Sequence, residues 1–238
     1  MIKLLDHFYE PWDLFSARVL ATYRSYDDMP GCQFYAGGPH TPAAVCSIVD
    51  GFVILSAKEN ADWEEVTAFL RMQSWRQLQC DSDIAKRLPF PVEWTSMLVK
   101  FAAPKQELSI DNIAVANDPG EVYDILALCF PDMQNRNDWM ANLALRWRRG
   151  TAQSWVMEHT CTASAIALTE SYAFLGALGT LPEARGKGLA GKLLSFICGQ
   201  YAGREVWLSC RKELRGFYES IGFEKAGDMI TLKRENDI

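Results

Sequence analysis

The chain has 238 residues, of which 49% are apolar, enough to bury one large core or two modest ones, and this excludes a disordered tail protein. Thirty acidic side chains against 24 basic ones leave a formal charge of -6, which repels a polyanionic backbone over most of the surface and excludes a general nucleic-acid-coating role. Seven cysteines, an odd number without a Cys-x-x-Cys pair, argue against a disulfide framework or a structural zinc.

Asp6 and Glu10 interrupt the stretch where a signal peptide is apolar, and no segment reaches the roughly 18 consecutive apolar residues of a membrane span. The expectation is a cytoplasmic protein with no metal, no nucleic-acid partner and no membrane partner. From the N-terminus, Trp12, Phe15, Val19 and Tyr23 share one helical face, and Met29-Pro30-Gly31 ends that helix. Three short strands follow, over 33–36, 43–49 and 52–56, with Asp50-Gly51 as a two-residue hairpin turn. Next come a helix over 62–72 capped by Asn60 or Asp62, a strand over 75–80, a short helix over 82–88 and a strand over 93–101. Residues 102–109, with Pro104, are read as a linker.

Beyond it, Asp118-Pro119-Gly120 opens a helix to about Cys129, and a second runs from about Asn137 to Arg149, burying Trp139, Met140, Leu143 and Trp147 until Gly150 stops it. Strands are expected over 154–159, 162–168 and 172–181, then a helix over 188–201, a strand over 205–209, a helix over 212–220 and a last strand or hairpin over 223–233. The order of strands and helices over 33–101 recurs over 162–233, which suggests a degenerate internal repeat.

The stretch Leu181-Pro182-Glu183-Ala184-Arg185-Gly186-Lys187-Gly188-Leu189-Ala190-Gly191-Lys192 lies between a strand and an amphipathic helix. Its glycines let backbone N–H groups converge, and a helix N-terminus adds about half a positive charge, so an anion fits there. Gly186-x-Gly188-x-x-Gly191 matches a dinucleotide fingerprint, but Pro182 to Arg185 intervene where that fold turns directly from strand to first glycine. The same residues nearly match a phosphate-binding P-loop, but Leu193 stands where Ser or Thr must reach magnesium. Between Arg185 and Arg215, seven basic residues and two acids give a local net of +5 within this acidic chain.

Taken as Arg185-x-x-Gly188-x-Ala190, the loop resembles the signature of the GNAT superfamily of acyl-CoA-dependent N-acyltransferases, and Phe217-Tyr218-Glu219-Ser220-Ile221-Gly222-Phe223 resembles that family's aromatic-Tyr-x-x-x-Gly-Phe motif. The resemblance covers about residues 110–238. It implies an α+β GNAT fold, a mixed, mostly antiparallel sheet flanked by helices, over 110–238, with a smaller N-terminal α+β domain over 1–105 that repeats it in degenerate form. It also implies acetyl-CoA as co-substrate, with Leu178, Gly179, Thr180 and Leu181 pairing with the pantetheine arm. Gly186, Lys187, Gly188, Leu189, Ala190 and Gly191 would hold the pyrophosphate, with charge added by Arg185 and Lys187. Gly176 and Gly179 suit a bulge that opens the sheet.

By the same resemblance Tyr218 is the general acid at the CoA sulfur, and Glu170, the nearest acid to the start of the fourth family strand, is the candidate base. Glu158 and His159, placed on the preceding strand, are weaker candidates. Arg211 stands where many relatives carry Asn, so the usual contact to pantetheine gives way to one with a phosphate. In the first half the equivalent loop, Ala57 to Glu65, carries four acids and no glycine, which would repel a pyrophosphate. The expected function is transfer of an acetyl or short acyl group to a small-molecule or peptide amine by direct attack, in a monomer or homodimer. Non-catalytic acyl-CoA binding and a nicotinamide-dependent oxidoreductase are the competing readings.

Overall fold

Asp13 starts the first helix, α1 (Leu14–Tyr26), by a reciprocal cap: its carboxylate accepts from the Ser16 amide at 2.6 Å while Ser16 Oγ accepts from the Asp13 amide at 3.0 Å. The computed structural model in which this is seen describes residues 2–3, 9–38, 41–105, 112–133 and 135–234. It divides into two compact units, one of Met1–Leu98 with Ala226–Ile238 and one of Val99–Lys225. The division runs through two strands, and part of the expected linker, 106–109, lies outside the described residues.

In the first unit β1 (Ile2–Lys3) pairs with β2 (Gln33–Gly37), and β2, β3 (Ala44–Val49) and β4 (Phe52–Ala57) form an antiparallel meander. Asp50 and Gly51, both at positive φ (50° and 74°), make the expected hairpin turn. Helix α2 (Trp63–Met72), capped by Asp62, then crosses to β5 (Gln77–Asp81), which lies parallel to β4. After α3 (Ser82–Arg87) comes β6 (Val92–Phe101), whose last three residues belong to the second unit. Leu55, Leu70, Leu78 and Leu232 form the core between the sheet and α2 and α3. Gln79, alternate to Leu78 and Cys80, points to the other face, where Arg18 of α1 donates to it at 2.7 Å.

The second unit repeats this order. Strand β7 (Ile113–Val115) pairs with β8 (Gln153–Met157), and β8, β9 (Cys161–Leu168) and β10 (Tyr172–Thr180) form a meander. Helix α6 (Leu189–Gln200) crosses to β11 (Glu205–Cys210), which is parallel to β10. The α+β architecture, a mixed, mostly antiparallel sheet with a parallel pair, is the expected one. Helices α4 (Pro119–Cys129) and α5 (Arg136–Arg148) cover one face, packing Leu126 and Leu143 on Val156. Of the α5 residues expected to be buried, Leu143 is, while Trp139, Met140 and Trp147 are half-buried. Trp155, next to Val156, faces the other way and meets Tyr201 at the end of α6, ring centroids 5.8 Å apart.

Helix α7 (Arg215–Ile221), preceded by a 3₁₀ turn over Lys212–Leu214, leads to β12 (Phe223–Lys233). From Ala226 onward β12 lies in the first unit and pairs antiparallel with β5, Met229 opposite Asp81 and Lys233 opposite Gln77. Two edge strands, β1 and β7, have no counterpart in the sequence reading; two and three residues are too few to show a period.

Candidate active site

The parallel pairing of β10 with β11 runs from Tyr172 opposite Glu205 to Leu175 opposite Leu208 and then stops. Beyond that point the strands part around a cavity of about 380 Å³ lined by both strand ends together with Phe130, Ile166, Leu194, Leu214 and Tyr218. Two register shifts between β9 and β10 shape it. Ile166 is the extra residue of β9, and Ala177 and Leu178 are together opposite one residue of β9. Ala177 sits at φ 48°, a conformation few alanines adopt.

Gly176 and Gly179, expected to suit a bulge that opens the sheet, flank the Ala177–Leu178 bulge and mark close packing on the side of β9 and α4. A Cβ at Gly176 would stand 2.6 Å from Cδ1 of Ile166, and one at Gly179 3.1 Å from both Leu126 Cδ2 and Cys129 Sγ of α4. Leu178, Gly179 and Thr180 thus run along β9 on one side, while on the side toward β11 their backbone has passed the end of the parallel pairing. That edge can accept an extended ligand as an added strand.

After Thr180 the chain makes a 3₁₀ turn, Pro182–Ala184, and reaches Gly186 and Gly188, both left-handed at φ 78° and 76°. A Cβ at either would meet nothing within 4 Å, so the loop is open above both. Helix α6 has Gly188 as N-cap, no side-chain cap and no acid in its first turn, so the amides of Leu189, Ala190 and Gly191 point out without a competing carboxylate. In the first unit the start of α2 differs: the Asp62 carboxylate accepts from the Glu65 amide at 3.0 Å, and Glu64 and Glu65 fill the first turn. Arg185 is turned back, donating to the Thr180 carbonyl at 3.1 Å, and Lys187 is exposed. The 3₁₀ turn between β10 and Gly186 is incompatible with the direct strand-to-glycine turn of a dinucleotide fold, which removes the oxidoreductase reading.

Tyr218 is buried on α7, wedged between Phe217 and Phe223 with ring centroids 5.0 and 5.9 Å away, and it lines the cavity. Burial, reinforced by nearby Cys210, pushes its phenol up to about 12. Cys210 is itself raised by burial, which makes it a poor thiolate.

The structure brings Leu178, Arg211 and Tyr218 to one cleft, with the Gly186 to Gly191 loop following from the same strand. It does not bring Glu170 there. Glu170 is exposed in the β9–β10 turn closed by the Thr169 amide on the Tyr172 carbonyl, about 16 Å along the strand from Leu175 at ~3.3 Å per residue. Glu158 and His159, expected on a strand, form the β8–β9 turn, both at φ 52°, and His159 Nδ1 meets Glu121 at 2.5 Å. Phe130, Ile166 and Leu214 line the cleft without any prior signal in the sequence.

Residues 150–225 match the family model of the acetyltransferase (GNAT) domain. No curated protein matches the sequence. Among solved structures, a GNAT-family acetyltransferase from Colwellia psychrerythraea superposes with a TM-score of 0.57 at 13% identity, over 90% of this chain and 89% of its own. A GCN5-related N-acetyltransferase from Sphaerobacter thermophilus reaches 0.59 at 14% identity, over 94% and 87%. A tandem GNAT protein from the clavulanic acid biosynthesis pathway reaches 0.58 at 10% identity, over 93% and 89%. Residues 150–225 are thus similar to the GNAT acetyltransferase domain, and the chain shares the fold of solved GNAT-family proteins over about nine-tenths of its length.

Proposed function

We propose that the chain transfers an acetyl or other short acyl group from acyl-CoA to an amine by direct attack. The observation that carries this reading is the parting of β10 and β11 beyond Leu175 and Leu208 around a cleft lined by a buried tyrosine, with β10 leading on through the glycine loop into the uncapped N-terminus of α6. Leu178 to Leu181 would pair with the pantetheine arm, and the amides from Gly186 to Gly191 would take the pyrophosphate, with Arg185 and Lys187 adding charge. The open space above Gly186 and Gly188 fits such a group.

Tyr218 holds its proton throughout the neutral range. Handing it fully to a thiolate whose conjugate acid has a pKa near 8.5 runs uphill by about 5 kcal/mol. Its role is therefore to donate a hydrogen bond to the sulfur as charge develops there, the final proton coming from solvent. Among the described residues no carboxylate lines the cavity, so the protein offers the amine no base there. The same lack favours the second reading, an acyl-CoA-binding module without turnover.

A screen of amines with acetyl-CoA, following thiol release and, in parallel, acetyl-CoA binding by calorimetry, separates the two. Release with at least one amine is expected. Tight binding with no release for any amine would leave the binding module, and no binding would end both readings.

A further inference from the structure

The cleft narrows the choice of amine, granted the acyl transfer proposed above. Among the described residues Arg211 is the one charged side chain on its wall. Alternation along the strands places it. Gly179 pairs with Thr162 and faces Leu126 and Cys129 of α4, and Gly176 pairs with Ser164 and faces Ile166, whereas Leu175, one residue before Gly176, faces the opposite side of the sheet. Leu208 pairs with Leu175, so Leu208 and Cys210 share the α6 and α7 face with Tyr218, and Ser209 and Arg211 project to the α4 face, as Phe174 does through its pairing with Trp207. Arg211 thus stands on the side of Phe130, away from α6, whose N-terminus would take the pyrophosphate. Among the described residues no carboxylate pairs with Arg211, while Arg215 nearby is held by Glu219 at 2.6 Å.

An ammonium-only acceptor would meet this guanidinium with no acid in the cleft to hold it. An amine carrying its own carboxylate would pair with the guanidinium in the two-pronged geometry that arginine favours. We propose that the acceptor is an apolar α-amino acid, its carboxylate bound by Arg211 and its side chain lodged against Phe130, Ile166 and Phe174. Pairing the carboxylate removes its hold on the neighbouring ammonium and brings that group toward the ordinary α-amino range of about 7.7–8.0, so solvent can deprotonate it without a protein base. The nitrogen lone pair then forms the C–N bond at the thioester carbonyl and the C–S bond breaks toward sulfur. Nitrogen loses its proton to water and sulfur gains one from solvent. Amino acid and acetyl-CoA give N-acetylamino acid and CoA thiol.

The full chain is assayed with leucine, leucinamide and isopentylamine, as wild type, Arg211→Met and Arg211→Lys. Leucine is expected to exceed both analogues in kcat/KM by at least about tenfold, and Arg211→Met to raise the leucine KM about tenfold with the acetyl-CoA KM held, lysine restoring part of it. Leucinamide or isopentylamine turning over as well as leucine, or Arg211→Met shifting the acetyl-CoA KM instead, overturns the inference and leaves acyl transfer standing. No thiol release with any of the three, nor with the wider amine screen, overturns both.

Discussion

Tyr218 combines two properties that a surface tyrosine lacks: a packed aromatic collar that fixes its ring and a phenol pushed up to about 12. Tyr218→Phe keeps the packing and removes the donor, so kcat for thiol release is expected to fall about a hundredfold with the acetyl-CoA KM nearly unchanged. Because burial pushes the phenol up to about 12, the wild-type rate should rise as the amine loses its proton and then stay level to pH 10; a falling limb between pH 8 and 10 would remove Tyr218 as the donor. Its place was legible in the aromatic-Tyr-x-x-x-Gly-Phe spacing, because the glycine must turn the chain at φ 118° after α7. Glu170 lies at the far end of β10 from the cleft; nearness in sequence to a strand says nothing about which end of that strand holds the cleft. Ile166 and Ala177 could not be read at all, since a bulge is fixed by the partner strand's register and leaves no composition signal.

The start of α6 is the element on which cofactor binding turns. Gly188→Asp supplies a carboxylate to amides that have no side-chain cap, and aspartate tolerates the left-handed backbone better than most residues. It should lower the melting temperature slightly, because any side chain is strained at φ 76°, while weakening acetyl-CoA binding at least about tenfold by repelling the anion. Equal affinity in calorimetry would place the pyrophosphate elsewhere. The long elements were legible from their periods and caps: α1, α2, α4 and α6 begin within two residues of the positions expected, because Asp13, Asp62, Asp118 and the glycine loop each stop a different backbone conformation. The segment read as one helix over 212–220 starts as a 3₁₀ turn, since Arg211 is extended and has no side chain able to cap.

Across the whole molecule, the order of elements from β1 to β6 returns from β7 to β12, with a parallel pair bridged by a helix in each half. We propose that only the second half binds acetyl-CoA, because Asp62, Glu64 and Glu65 fill at α2 the place that α6 leaves to an anion. Calorimetry should give one acetyl-CoA per chain, and two would reject the assignment. The folded chain also holds protons that the unfolded one gives up: burial pushes Tyr201, Tyr218, Cys46 and Cys198 up to about 12, above ordinary values of 10.0 and 9.0. Their contribution is complete below pH 9 and is lost as pH climbs toward 12, so the melting temperature should drop steadily between pH 9 and 11. The repeat was visible in the order of elements, but the course of β12 was not, because pairing with a strand 150 residues earlier leaves no local trace. That course limits how the protein can be dissected. A fragment of residues 110–238 would carry Ile230 and Leu232 on a strand without β5, an apolar edge that recruits other copies. Such a fragment should aggregate on expression, while co-expressed halves should recover soluble material.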